Sequence, residues 1–97
     1  FGFLITCKEG VDRNKLVQEI ESRGVQTRML FAGNLTKHPC FDQMRASGKG
    51  YRIAGSLENT DRIMKDTFWI GVYPGMTDEM LQAMADAIKY QIKDALN

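Results

Sequence analysis

The amino-acid sequence predicts one compact α+β domain, and three observations carry that expectation. A chain of 97 residues has the length of a single hydrophobic core. Two apolar segments, one at the start and one around Phe68, have the length and β-branched or aromatic content of strands. The C-terminal segment instead repeats its apolar residues at helical spacing.

Phe1 to Lys8 reads as a strand, with Phe1, Phe3 and Ile5 on one face and Leu4 on the other, and Glu9-Gly10 breaks it. Asp12 is placed to N-cap a helix over Arg13–Arg23 whose buried stripe is Leu16, Val17 and Ile20. Gly24 stands where a left-handed residue ends such a helix. Val25 to Phe31 returns as a second strand with Val25, Thr27, Met29 and Phe31 on one face, completing a βαβ-like unit. Ala32 to Gly50, with its glycines, Pro39 and Ser47, reads as a long irregular loop, a kind that in compact domains is functional or disordered. Tyr51–Ala54 is expected as a short strand and Asn59–Lys65 as a short helix, with Leu57, Ile63 and Met64 turned inward. Thr67–Val72 is the most apolar stretch and reads as a central strand. Both Phe68 and Trp69 are expected in the core, Trp69 against the last helix near Leu81, Met84 or Ile88. After the turn Tyr73-Pro74-Gly75, Thr77 caps that helix. Asp78 and Glu79 sit in its first turn, favourable at the positive end of the dipole, and Leu81, Met84, Ala85, Ile88, Ile92 and Ala95 form its stripe.

Composition excludes several function classes. Apolar residues make up 43% and charged residues 26%, which is globular rather than disordered. No apolar run approaches the ~20 residues of a membrane helix, so no membrane partner is expected. Cys7 and Cys40 match no C-x-x-C metal or redox spacing, and His38 is the sole histidine, so two histidines cannot meet on a metal within this chain. The start, Phe1-Gly2-Phe3, lacks a Met and a basic leader and falls inside a strand, so it reads as a piece of a longer cytoplasmic protein. Net charge is +1 but unevenly spread. Arg28, Lys37, Arg45, Lys49 and Arg52 outweigh Asp42 in the middle of the chain, whereas acids dominate after Asp66. A basic central loop suits an anion such as phosphate. Nucleic acid is not an expected partner, because no aromatic residues alternate with these cations as a stacking surface requires.

Catalysis needs a nucleophile beside a base, tuned carboxylates or a bound cofactor, and no such unit is visible. Gly48, Gly50 and Gly55 do not reproduce G-x-G-x-x-G. What remains is a set of polar residues on the long loop, among them Asn34, Thr36, Lys37 and His38.

Two runs go further. Gly24-Val25-Gln26-Thr27-Arg28-Met29-Leu30-Phe31-Ala32-Gly33-Asn34-Leu35-Thr36 with Pro39 and Phe41, and Asn59-Thr60-Asp61-Arg62-Ile63-Met64-Lys65-Asp66-Thr67-Phe68-Trp69-Ile70-Gly71-Val72-Tyr73-Pro74-Gly75-Met76-Thr77, resemble the DegT/DnrJ/EryC1/StrS sugar-aminotransferase group. Within it they are most similar to its 3-dehydrase branch. The resemblance implies the small C-terminal domain of a fold-type I enzyme, a three- to four-stranded, mostly antiparallel sheet with helices on one face. It implies a parent enzyme that uses pyridoxamine phosphate, a 2Fe–2S cluster and a flavin-dependent reductase to remove the C3 hydroxyl of a CDP-linked 4-keto-6-deoxyglucose. The parent would be a homodimer, and these 97 residues would have their own large domain as partner. By the same resemblance the base, the cofactor aspartate and the cluster cysteines lie in that large domain, so the piece itself carries no cofactor and no catalytic residue. The part of it expected to face substrate is the loop bearing Arg28, Phe31, Asn34, Lys37 and His38. Two other readings stay open: the small domain of a true sugar aminotransferase, with lysine rather than histidine at the cofactor, and a free-standing ligand-binding α+β module.

Overall fold

The computed structural model describes the backbone of residues 1–95 and the side chains of residues 1–91. Three strands, β1 (Gly2–Thr6), β2 (Thr27–Arg28) and β3 (Thr67–Gly71), form one sheet in the order β1-β3-β2. Both pairings are antiparallel, with Leu4 opposite Trp69 and Ile5 opposite Phe68 on one side, and Thr27 opposite Ile70 on the other. The helices are α1 (Arg13–Ser22), α2 (Asp42–Ser47), α3 (Glu58–Asp66) and α4 (Asp78–Ala95). The βαβ expectation holds in outline, but β3 lies between β1 and β2.

Local chemistry explains the elements that the sequence announces. The Asp12 carboxylate accepts the Lys15 amide at 3.1 Å and opens α1. Gly24 follows its end at φ +86°, a conformation open to glycine at no steric cost. Thr77 Oγ1 accepts the Met80 amide at 3.2 Å and opens α4.

Alternation along β3 then decides which side is core. Phe68 and Ile70 point to the face covered by α1 and α4, where they pack with Cys7, Leu16, Val17 and Ile20, and with the half-buried Ile5, Met84 and Ile88. Phe68 and Ile20 are fully buried, each contributing on the order of 1.5–3 kcal/mol. Ala87 is buried on α4, whereas Leu81 is exposed. The side chains of Ile92 and Ala95, expected on the same stripe, lie outside the described residues. The Arg23 guanidinium, 3.7 Å above the Tyr90 ring, ties the end of α1 to α4.

Trp69 points the other way. It does not meet α4; it lies on the opposite face of the sheet, where Phe1 and Phe31 meet it edge-on at centroid distances of 5.1 and 5.2 Å. Phe68 and Trp69 are neighbours on one strand, so only one of them can face the helices. Phe1 accordingly sits on the side opposite to that expected from Phe3 and Ile5.

The chain is also less compact than its length suggests. Its radius of gyration is 16.9 Å and its extents are 53 × 34 × 22 Å, against about 12–13 Å expected for a globule of this size. Residues 29–66 leave the sheet after Arg28 and return at Thr67. Along this arm the expected second strand stops at Arg28, and Met29 and Phe31 are exposed. The loop contains 3₁₀ turns at Leu35–Lys37 and Pro39–Phe41 and the helix α2. Tyr51–Ala54 forms no strand, because no neighbouring strand is in reach to pair with it, and Ile63 on α3 is exposed rather than turned inward.

Candidate functional site

The open face of the sheet and the base of the arm meet around Trp69. Trp69, Phe1, Phe31, Met29 and Arg28 line a groove of about 570 Å³. Arg28 is opposite Trp69 in the sheet register, so its guanidinium is the one side-chain charge of a largely apolar lining. The Arg28 guanidinium makes no hydrogen bond or ion pair among the described residues. An apolar wall with one free cation can take a ligand or protein surface that brings its own anion.

Past Phe31 the chain turns sharply. Gly33 has φ +63°, and a Cβ there would stand 2.6 Å from Met64 Cγ, so both backbone angle and space require glycine. The turn delivers Asn34, which is 3% exposed. Its side-chain Oδ1 accepts the Thr36 amide at 3.0 Å and the Thr36 hydroxyl at 2.6 Å, while its side-chain Nδ2 donates to Asp61 Oδ1 at 2.7 Å. Lys37 Nζ is 3.1 Å from the same Asp61 oxygen. The Asn34 amide and the Lys37 ammonium hold the Asp61 carboxyl below its usual range. His38 Nε2 is hydrogen-bonded to Ala32 O. Arg45 donates to His38 O at 2.9 Å and also pairs with Asp42. A second, smaller cleft of about 230 Å³ lies beside these turns, between Leu35, Phe41, Met44 and Tyr51.

The five residues singled out from sequence therefore divide. Arg28 and Phe31 share the Trp69 groove. Asn34, Lys37 and His38 form a stapled turn next to it, fastened to α3 through Asp61. Sequence reasoning missed Asp61 because its partners are 27 and 24 positions away and an acid in the first turn of a helix has an ordinary local role. It missed Trp69 as a groove residue because a tryptophan in an apolar strand reads as core. Burial, reinforced by the Asp66 charge and opposed by Arg13, raises the Cys7 thiol above its ordinary pKa and leaves it a poor nucleophile. Cys40 is exposed, and no three His, Cys, Asp or Glu side chains gather as metal ligands among the described residues.

Comparison with known proteins gives this geometry a context. The chain is 48% identical over 90 residues to a dTDP-4-dehydro-2,6-dideoxy-D-glucose 3-dehydratase of Saccharopolyspora spinosa, covering 91% of this chain. It is 52% identical over 83 residues, 84% of this chain, to the lipopolysaccharide biosynthesis protein RfbH of Salmonella typhimurium. It spans 18% of the length of each relative. The model of the DegT/DnrJ/EryC1/StrS aminotransferase family matches residues 1–89, so nearly the whole chain, groove and arm included, belongs to that family.

Proposed function

We propose that this chain is the small domain of a deoxysugar 3-dehydrase acting in lipopolysaccharide O-antigen synthesis, with the fold-type I architecture and a large domain of its own. The observation that carries the reading is the identity of about half, across nearly the whole chain, to a protein named as a sugar 3-dehydratase and to RfbH. The substrate is a CDP-linked 4-keto-6-deoxyglucose. One relative's name specifies a dTDP sugar, which makes the nucleotide a point for direct comparison. The parent works as a cytoplasmic homodimer with pyridoxamine phosphate, a 2Fe–2S cluster and a flavin-dependent reductase. Among the described residues no helix is long and apolar enough to cross a membrane.

The residues at hand do not fit the cofactor. A phosphate favours a helix N-terminus free of negative charge, whereas α1 is capped by Asp12, α3 opens with Glu58 and α4 with Asp78 and Glu79. No step of the reaction is assigned to these residues. Their role is to bind and position. Arg28, in the Trp69 groove, is the cation that reaches the sugar nucleotide's phosphates, and Phe31 is an apolar wall beside it. Asn34, Lys37 and His38 fix the loop that borders the cleft. The exposed apolar residues around Trp69 seat against the large domain, as a face too apolar to remain in water would.

The test uses the full-length enzyme supplied with pyridoxamine phosphate, reductase and NADH. Loss of the C3 oxygen from CDP-4-keto-6-deoxyglucose is the expected outcome, with the dTDP sugar as the comparison. Transamination with glutamate instead of deoxygenation overturns the reading in favour of a sugar aminotransferase. Replacing Arg28 with Ala should raise the substrate Kd by roughly 5- to 150-fold, the loss of one charge-assisted contact of about 1–3 kcal/mol, and leave cofactor binding unchanged. An unchanged substrate Kd removes Arg28 from the site.

A further inference from the structure

β1 is where the sheet is unfinished. It pairs with β3 along one side only. The bonds from the Cys7 amide to Asp66 O, 2.8 Å, and from the Val72 amide to Phe1 O, 3.1 Å, identify which residues bond to β3. In an antiparallel pair such residues alternate, so Phe1, Phe3, Ile5 and Cys7 turn their backbone groups toward β3. The amides and carbonyls of Gly2, Leu4 and Thr6 then point outward, and no hydrogen bond to them is present among the described residues.

An exposed row of this kind is normally blunted by charge, proline, a bulge or brevity. The other edge follows that rule: β2 is two residues long and ends in Arg28. β1 does not. Its five residues, Gly2-Phe3-Leu4-Ile5-Thr6, carry no charge and no proline, and pair with β3 in an unbroken register. Phe3 and Leu4 are 61% and 53% exposed, on opposite faces of the edge. A strand laid beside β1 would satisfy three outward residues and cover both side chains at once.

We propose that β1 receives a fourth strand, and that this strand comes from the part of the full-length enzyme outside these 97 residues. The inference rests on the reading of the chain as one domain of a longer enzyme. The occupant is chosen on two grounds. The aligned relatives hold more than four-fifths of their length beyond the matched stretch. A strand tethered in the same molecule also acts at an effective concentration near millimolar, which a second copy at ordinary concentration does not reach. The incoming strand places one apolar residue beside Phe3 and another beside Leu4.

Amide hydrogen exchange on the full-length enzyme tests this directly. Phe3 and Ile5 bond to β3 in any case and serve as internal controls. Leu4 and Thr6 are expected to exchange at least about a hundredfold more slowly than open-coil amides, in step with those controls. Exchange of Leu4 and Thr6 at coil rates beside protected Phe3 and Ile5 overturns the proposal. Protection that vanishes on dilution to the monomer also overturns it, by assigning the strand to a second copy. A pair of variants gives an independent reading: Leu4→Pro deletes an outward amide that β3 does not use, and Leu4→Ala controls for the lost side chain. The proline variant should melt below the alanine variant; equal melting means an unpaired edge. These outcomes are separable from those of the functional reading, because an enzyme that fails to deoxygenate at C3 refutes the function whatever Leu4 does.

Discussion

The two halves of this molecule are held together by different forces. Around β3, α1 and α4 the interior is apolar, with Phe68 and Ile20 fully buried. In the arm of residues 29–66 no hydrophobic side chain is buried to that degree; the residue most withdrawn from water before its return to the sheet is Asn34, and order comes from polar staples to Asp61, Thr36 and Arg45. Burial of apolar area scales with surface and drives folding, whereas individual hydrogen bonds contribute about 0.5–1.5 kcal/mol net each. The first half is therefore what makes the chain fold. The second is shaped by folding but not responsible for it, as a surface that meets a ligand or another domain can be.

The largest expected effect separates Phe68 from its neighbour Trp69. Phe68→Ala should destabilise the chain by about 3–5 kcal/mol, as a large-to-small change in a closed core does. Trp69→Ala should cost less than half of that in the isolated chain, since its ring contacts are with the exposed Phe1 and Phe31. Denaturant unfolding of both variants measures the difference, and equal losses would mean that the open face is as much a core as the covered one.

These two residues also show how far the sequence was legible. The position of β3 followed from its apolar run, and α1 and α4 followed from Asp12, Gly24 and Thr77, because caps are local signals that survive into the fold. The face of β3 did not follow. A strand apolar on both sides carries no alternation to say which side the helices cover. Tyr51–Ala54 failed for a related reason: β propensity expresses fit to neighbouring strands, and the arm offers none. In the candidate site Arg28 and Phe31 were reachable through the resemblance, but the Asn34–Asp61 link was not, since nothing within a few residues of either marks the other.

A middle-sized effect sharpens the contrast. Asn34→Ala removes the cap of the first 3₁₀ turn and the tie to Asp61, at about 1–2 kcal/mol. The loss should be local, seen as faster proteolysis within residues 29–57 with the unfolding midpoint of the core little moved. If the core midpoint falls as far as in Phe68→Ala, the two regions are one cooperative unit.

The smallest effect is set by pH. Asp61 has its carboxyl pKa lowered in the folded state, chiefly by the Asn34 hydrogen bond and then by Lys37. Its contribution to ordering the arm is thus complete above the ordinary carboxylate pKa of about 4 and is lost as pH falls through the lower folded value. Proteolytic sensitivity of the arm should rise in that acid window, and Asp61→Asn should abolish the pH dependence there. A pH profile unchanged by Asp61→Asn would show that another group governs it.

The arm joins β2 to β3, two strands that lie side by side, so topologically it is an overgrown hairpin loop with both feet one strand spacing apart. Loop-closure entropy rises only with the logarithm of length, by about 0.6 kcal/mol for each doubling. Evolution can therefore lengthen, shorten or rewrite residues 29–57 with little penalty to the sheet, provided that Arg28 and Thr67 keep their register and Asp66 keeps its bond to the Cys7 amide. A family built on this plan can vary this loop while inheriting the same scaffold.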